Sequence, residues 1–197
     1  MTATRSDKMP GPGTVLSVNL SPKKGMRKTR GTCATLELDR GFETDAHAGD
    51  WHRQVSLLAQ ESIDSMTAKG LDVGPGDFAE NITTSGIDLL ALPVGSMLRV
   101  GDGALLEISQ IGKVCHAHCA IYFQAGDCVM PREGLFAVVR EAADVKVGDT
   151  VEVVSLGDGT CDRTPQEAID EFARERKAEA DAEAAKLAKA CDAATKE

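Results

Sequence analysis

The sequence predicts a mostly β protein: a β-barrel with a few short helices and a C-terminal helical extension. Three observations carry this expectation. Short runs rich in Val, Ile and Leu recur at intervals of roughly ten residues and are punctuated by Gly, Asp and Pro. No regular long helices separate these runs, which argues against a doubly wound parallel sheet. Beyond Pro165 the composition shifts to an alanine-rich, charged tract with no Gly and no further Pro. The organisation expected is a disordered leader at 1–13, a barrel domain at 14–156 and a charged helix at 164–197.

Residues 14–20 alternate as a first strand, and 33–38 as a second, with Cys33 as a small core residue. Residues 39–54 lack apolar periodicity and read as a loop, although they carry His47, His52 and the single tryptophan, Trp51. Residues 55–58 enter the core as a strand. A helix follows from Gln60 to Lys69, with Ile63 and Met66 inward and Gly70 as its stop. Residues 77–86 read as strand and turn, and Glu80 and Asn81 are polar within a buried-looking run. Residues 87–93 connect to a strand at 94–100. Gly101-Asp-Gly103 then makes a tight hairpin into the strand 104–109. Strands at 134–140 and 150–154 complete the barrel. Thr164, Pro165 and Glu167 form a helix start with a capping box.

Composition excludes several functions. The 197 residues carry a formal charge of −9 and are 42% hydrophobic but only 4% aromatic. An acidic chain of this kind is a poor match to nucleic acid or an anionic membrane. No apolar run approaches the roughly 18 residues of a membrane span, and the N-terminus has no apolar signal core. The expected location is the cytoplasm, where six cysteines are thiols or ligands before they are disulfides.

The chemistry concentrates after the strand at 104–109. Cys115, His116, His118, Cys119 and Cys128 pack soft sulfur and imidazole ligands into fourteen positions, a pattern of metal, persulfide or redox chemistry. A second feature is local reversal of charge: Lys23, Lys24, Arg27, Lys28 and Arg30 fall within eight positions. That run reads either as a solvated loop or as a loop over an anionic ligand, where charge-assisted hydrogen bonds are worth about 1.5–3 kcal/mol each. The loop holding His47, His52 and Arg53 reads either as a functional loop or as one tied down by structural hydrogen bonds.

Four segments in order resemble the MOSC domain, the module named for the C-terminal part of molybdenum cofactor sulfurases. Gly76 followed by Asp77-Phe-Ala-Glu-Asn-Ile-Thr-Thr-Ser-Gly86 is similar to the family's G-D-x-x-E-N-[LI]-T-x-x-G signature. Asp45 to Val55 resembles its polar His/Gly loop, and Val94 to Gly101 its I-G-D-x-[LV]-x-[IV]-G hairpin. Cys115 falls where the family places a reactive cysteine at a strand end. The chain departs from the family in having Gly112-Lys113-Val114 where many members have Arg and Pro. The added His116, His118, Cys119 and Cys128 resemble small stand-alone bacterial members.

The resemblance implies binding of molybdenum cofactor (molybdopterin) or molybdate, or carriage of sulfur as a cysteine persulfide for sulfuration or metal–sulfur cofactor assembly. In that role Cys115 is the sulfur carrier or metal ligand, and Cys119 and Cys128 are auxiliary thiols. Lys23, Lys24, Arg27, Lys28, His47, His52, Arg53, Glu80, Asn81, Lys113, His116 and His118 are the candidate cofactor-binding residues. Expected partners are a cysteine desulfurase or molybdenum-cofactor biosynthesis proteins, with a homo-oligomer as a further expectation. The chain itself is expected to hold no pyridoxal-phosphate domain. The alternative is a non-catalytic binding module in which the Cys/His cluster holds structural zinc, although C-x3-C-x8-C is not a common zinc-finger spacing.

Overall fold

A computed structural model describes residues 9–115, 122–123 and 128–194. They divide into two compact units, 1–164 and 165–197. The first is a barrel. Its strands are β1 (Gly13–Leu20), β2 (Thr29–Gly31), β3 (Cys33–Glu37), β4 (Gly41–Phe42), β5 (Val55–Ala59), β6 (Ile82–Ser85), β7 (Met97–Val100), β8 (Ala104–Ile111), β9 (Leu135–Glu141), β10 (Asp144–Lys146) and β11 (Thr150–Ser155). Its helices are α1 (Gln60–Ala68) and α2 (Met130–Glu133), with a 3-10 turn at Leu89–Ala91.

Seven strands run in the order β11-β7-β8-β9-β5-β6-β1, and β1 closes the ring onto β11. The closing edge of β1 is shared. Gly13 and Thr14 pair with β11, whereas Val18–Leu20 pair with β2. Closure removes the open sheet edge that an isolated sheet would leave. All barrel pairings are antiparallel except β5 with β6, which run parallel. That exception has a cause in the chain order: α1 lies between the two strands and carries the chain back, as a parallel connection requires. β3, β4 and β10 form a small second sheet.

The core follows from alternation. Leu98 and Val100 on β7, Leu106 and Ile108 on β8, and Val139 on β9 are fully buried, as are Val15, Leu57 and Ile82. A second apolar cluster joins Ile63 and Met66 of α1 to Leu58, Phe78, Cys128, Met130 and Phe136. The near-absence of aromatics is thus met by branched aliphatics inside the barrel.

The structure departs from the sequence expectations at several elements. Cys33 is exposed rather than buried; it opens β3 opposite Lys146 of β10, a strand that composition did not reveal. The segment 39–54 contains β4, whose Phe42 is fully buried against the core. Strand structure in 77–86 is confined to β6, because the chain first turns through Ala79 at φ 64°. The expected strand at 94–100 starts only at Met97, after Gly95 at φ +85°. β8 continues to Ile111, across a register shift between Ile108 and Gln110. Thr164 does not spend its hydroxyl on the helix: it donates to the Ser109 carbonyl at 2.6 Å. The helical unit, α3 (Gln166–Ala194), accordingly starts after Pro165 and not at a Thr164 capping box. No helix of the described residues is long and apolar enough to cross a membrane.

One polar network runs through the barrel end that faces the site. Ser17 donates to Asn19 at 2.6 Å, Asn19 to Thr83 at 3.1 Å, and Thr83 to Glu80 at 2.8 Å. Asn81 accepts from the Ser56 amide and hydroxyl and donates to the Asn19 carbonyl at 3.2 Å. Glu80 is fully buried, and its Oε2 has no hydrogen-bond partner among the described residues. Burial pushes its carboxyl pKa up; the Gly76 amide and Thr83 hydroxyl pull it down without cancelling that effect. A carboxyl whose folded pKa is raised holds its proton longer than the unfolded chain does. Stability is then lost as pH rises from about 4.5 towards the folded value. Glu80→Gln should flatten this decline, and urea midpoints measured across pH 4–9 would show it. An unchanged slope would place the ionised form of Glu80 in the fold.

Candidate functional site

The site is built on the entries to β5 and β6 and the exit of β8. A cleft of about 260 Å³ opens there. Its walls include His47, Trp51 and Arg53 from the β4–β5 loop, Lys113 and Val114 from the end of β8, and Met130 and Phe136 from α2 and β9. Ser56 and Asn81, members of the polar network, also line it.

The loop 45–53 is held by a buried ion pair. Lys28 Nζ lies 2.6 Å from both oxygens of Asp45, and both side chains are 1% exposed. Asp45 also accepts the Ser21 amide at 2.9 Å and the His47 amide at 3.0 Å. Burial alone would raise the Asp45 pKa. The His47 and Lys28 hydrogen bonds, the Lys28 charge and the Ser21 amide outweigh that and hold the carboxyl far below its ordinary range. His47 completes the array, with Nδ1 at 3.2 Å from Asp45 Oδ1 and 3.3 Å from Lys28 Nζ. His47 also fixes Trp51, whose indole N–H donates to the His47 carbonyl at 2.9 Å.

Aromatic faces then order the cations. The Arg53 guanidinium lies 4.9 Å from the Trp51 ring centre and 5.6 Å from that of Phe136, and Lys24 Nζ is 5.6 Å from Trp51. Such stacking spreads Arg53 along one wall and limits its rotamers. The far side of the loop is tied to β8. Ser109 donates to the His52 carbonyl, and His52 Nε2 is 3.0 Å from Gln110 Oε1. Burial, then the Arg53 charge, pull the His52 pKa down against its Gln110 bond, which favours the neutral ring at neutral pH.

The structure therefore sorts the candidate residues. His47, Arg53, Asn81 and Lys113 meet at the cleft, and Lys24 joins through Trp51. Lys28 is committed to Asp45, Arg27 pairs with Asp77 at 3.1 Å, and Arg30 donates to the Pro75 carbonyl at 2.8 Å. Lys23 is braced through its backbone by Ser21. Lys28 is thus a buried fastening, whereas Arg27 and Arg30 make exposed contacts within the chain. Glu80 accepts from Thr83 and His52 bonds to Gln110, and neither of the two is among the described residues lining the cleft. Trp51, Phe136 and Asp45 were not among the candidates. Trp51 stood out only as the sole tryptophan, whereas Phe136 was indistinguishable from any strand residue.

Cys115 carries a free, exposed thiol directly after Lys113 and Val114 of the cleft wall. The Gly112 and Lys113 amides donate to the carbonyls of Gly134 and Pro131, at 2.7 and 3.0 Å, which fixes the approach to it. Cys128 is buried in the apolar cluster around α1. His116, His118 and Cys119 lie outside the described residues. Among the described residues the group that could hold a metal is Glu107, Cys161 and Asp162. There Arg140 already bridges the two carboxylates, and burial pushes the Cys161 thiol pKa up.

The described residues form a closed seven-strand barrel with a cationic, aromatic-walled cleft beside a strand-exit cysteine. The model of the MOSC domain matches residues 44–152, more than half of the chain, and the protein belongs to the MOSC domain family. Membership ties it in general terms to molybdenum-cofactor chemistry and sulfur binding. The fold is similar to the YuaD protein of Bacillus subtilis (TM-score 0.63, 18% identity, 73% of this chain and 96% of that one). It is also similar to YiiM of Geobacillus stearothermophilus (0.55, 19%, 73% and 75%) and YiiM of Escherichia coli (0.53, 21%, 82% and 76%). No curated protein matches the chain in sequence.

Proposed function

We propose that the cleft receives the anionic part of a molybdenum cofactor or molybdate, and that Cys115 is the thiol that takes up sulfur or ligates the metal beside it. The observation that carries this reading is the convergence of His47, Arg53 and Lys113 on one cleft whose wall runs directly into an exposed cysteine.

The residues fit such a group. Arg53 and Lys113 offer donors to phosphate or oxyanion oxygens, and Trp51 and Phe136 offer flat apolar faces to a ring. The group, when bound, would supply metal-centred or dithiolene sulfur chemistry. The chain's own residues do the rest. Arg53 and Lys113 orient the anion, and the Lys28–Asp45 pair keeps His47 and Trp51 in place. Lys113, two residues from Cys115, places a cation on the same strand exit as the thiol that accepts sulfane sulfur. A cysteine desulfurase or a molybdenum-cofactor biosynthesis protein is the partner this chemistry calls for, in a cytoplasmic setting.

Incubation with cysteine and a cysteine desulfurase, followed by intact-mass measurement, tests the role of Cys115. A gain of one sulfur atom is expected in the native chain and its loss in Cys115→Ala. Persistence of the added sulfur in that variant would reject the assignment.

A further inference from the structure

A second cavity lies at the opposite end of α2. It measures about 410 Å³ and sits between the first turn of α1, the 3-10 turn and the end of α2. Ile87, Leu89 and Leu90 give it an apolar surface, and Leu90 is 44% exposed. Glu61, Asp88 and Glu133 line it, with no basic side chain among the described lining residues. Glu61 and Asp88 each have an oxygen on a backbone amide, Gly86 at 2.9 Å and Ala91 at 3.2 Å. These bonds fix the carboxylates at the groove without neutralising them.

The polarity of the two cavities is opposed across one short helix. Met130, at the start of α2, lines the cationic cleft, and Glu133, at its end, lines the acidic groove. Four helical residues rise only about 6 Å. The same helix braces the approach to Cys115, since the Pro131 carbonyl accepts the Lys113 amide and the next carbonyl beyond the helix, Gly134, accepts Gly112. A protein seated in the groove is therefore adjacent to the segment that presents the thiol, and its charge is specified: cationic, with an aliphatic side chain for Ile87, Leu89 and Leu90.

We infer that this groove docks the persulfide-bearing protein that loads Cys115, through a basic and aliphatic segment of that donor. The inference rests on Cys115 being the sulfur-accepting thiol. The step it serves is a balanced transfer of one sulfane sulfur. The Cys115 thiolate attacks the terminal sulfur of a donor persulfide, R–S–SH, forming Cys115–S–SH and releasing R–S⁻ with the electron pair of the broken S–S bond. No external oxidant is involved.

The test compares two sulfur sources on the full chain. One is sodium polysulfide, which needs no docking; the other is a cysteine desulfurase charged with cysteine. Native protein, the double variant Asp88→Lys with Glu133→Lys, and Leu90→Ala are loaded by each, and Cys115 persulfide is followed by mass spectrometry. Polysulfide loading should be equal in all three. Desulfurase loading should fall about tenfold or more in the charge-reversed variant, fall in Leu90→Ala, and weaken in the native chain as salt screens the groove. Equal desulfurase loading of all three proteins would overturn the docking site, as would desulfurase failure on native protein that polysulfide loads. Failure of polysulfide to load Cys115 would instead overturn the reading of the thiol.

Discussion

Lys28→Met should cost about 3–5 kcal/mol of stability, the range for removing one partner of a buried ion pair. The side chains of Lys28 and Asp45 are each 1% exposed, and the variant would strand a carboxylate in the interior with its countercharge gone. Equilibrium urea unfolding measures the loss, and a change below about 1 kcal/mol would mean that water or another cation reaches Asp45. Replacing Asp45 as well should recover part of the loss, because an apolar pair carries no desolvation penalty. Recovery should stop short of complete, since Asp45 also accepts the Ser21 and His47 amides. The pair also shapes the acid limb. Because the Asp45 pKa is depressed in the fold, its contribution is full above its unfolded pKa. It is lost as pH falls below about 4 towards the folded value. Lys28→Met removes one cause of the depression and should shallow that acid decline.

The barrel was legible because its signal is local. Alternation in β7 and β8 and the Gly101–Gly103 turn between them need no knowledge of the rest of the chain. What stayed hidden was relational. β10 is three residues long and exists because β3 lies beside it, with Cys33 at the far end of their register. Thr164 satisfies every local rule for a helix cap, yet the Ser109 carbonyl 55 positions earlier takes its hydroxyl. The same distinction runs through the site. Lys113 and Cys115 share a strand exit, so their proximity is written in their spacing. The basic run could not be divided from sequence, because Asp45, Asp77 and the Pro75 carbonyl that claim three of its cations are distant in the chain. A count of charges includes Lys28, which is buried against Asp45, and it does not distinguish Arg53, which the Trp51 and Phe136 rings flank at 4.9 and 5.6 Å.

Arg53→Leu should weaken binding of an anionic cofactor by about 10- to 100-fold, the loss of one charge-assisted contact worth roughly 1.5–3 kcal/mol. The size follows from placement. Stacking on Trp51 and Phe136 keeps the guanidinium at the cleft wall before a ligand arrives, so little side-chain entropy is left to lose on binding. Lys113→Leu removes a cation of equal charge that lacks this bracing. It should cost less affinity, and it should leave polysulfide loading of Cys115 unchanged if Lys113 serves only the anion. The two variants thus separate a braced cation from an unbraced one at the same cleft. Ligand-induced thermal shift with molybdopterin or molybdate reads the affinity by mass action, and persulfide formation from polysulfide reads the loading. Arg53→Lys sharpens the comparison: it keeps the charge but loses the planar fork and most of the stacking, and it should recover only part of the affinity. If Arg53→Leu leaves the ligand shift intact while the fold is unchanged, the cleft is not where the anion binds, and the cationic wall would serve the barrel alone.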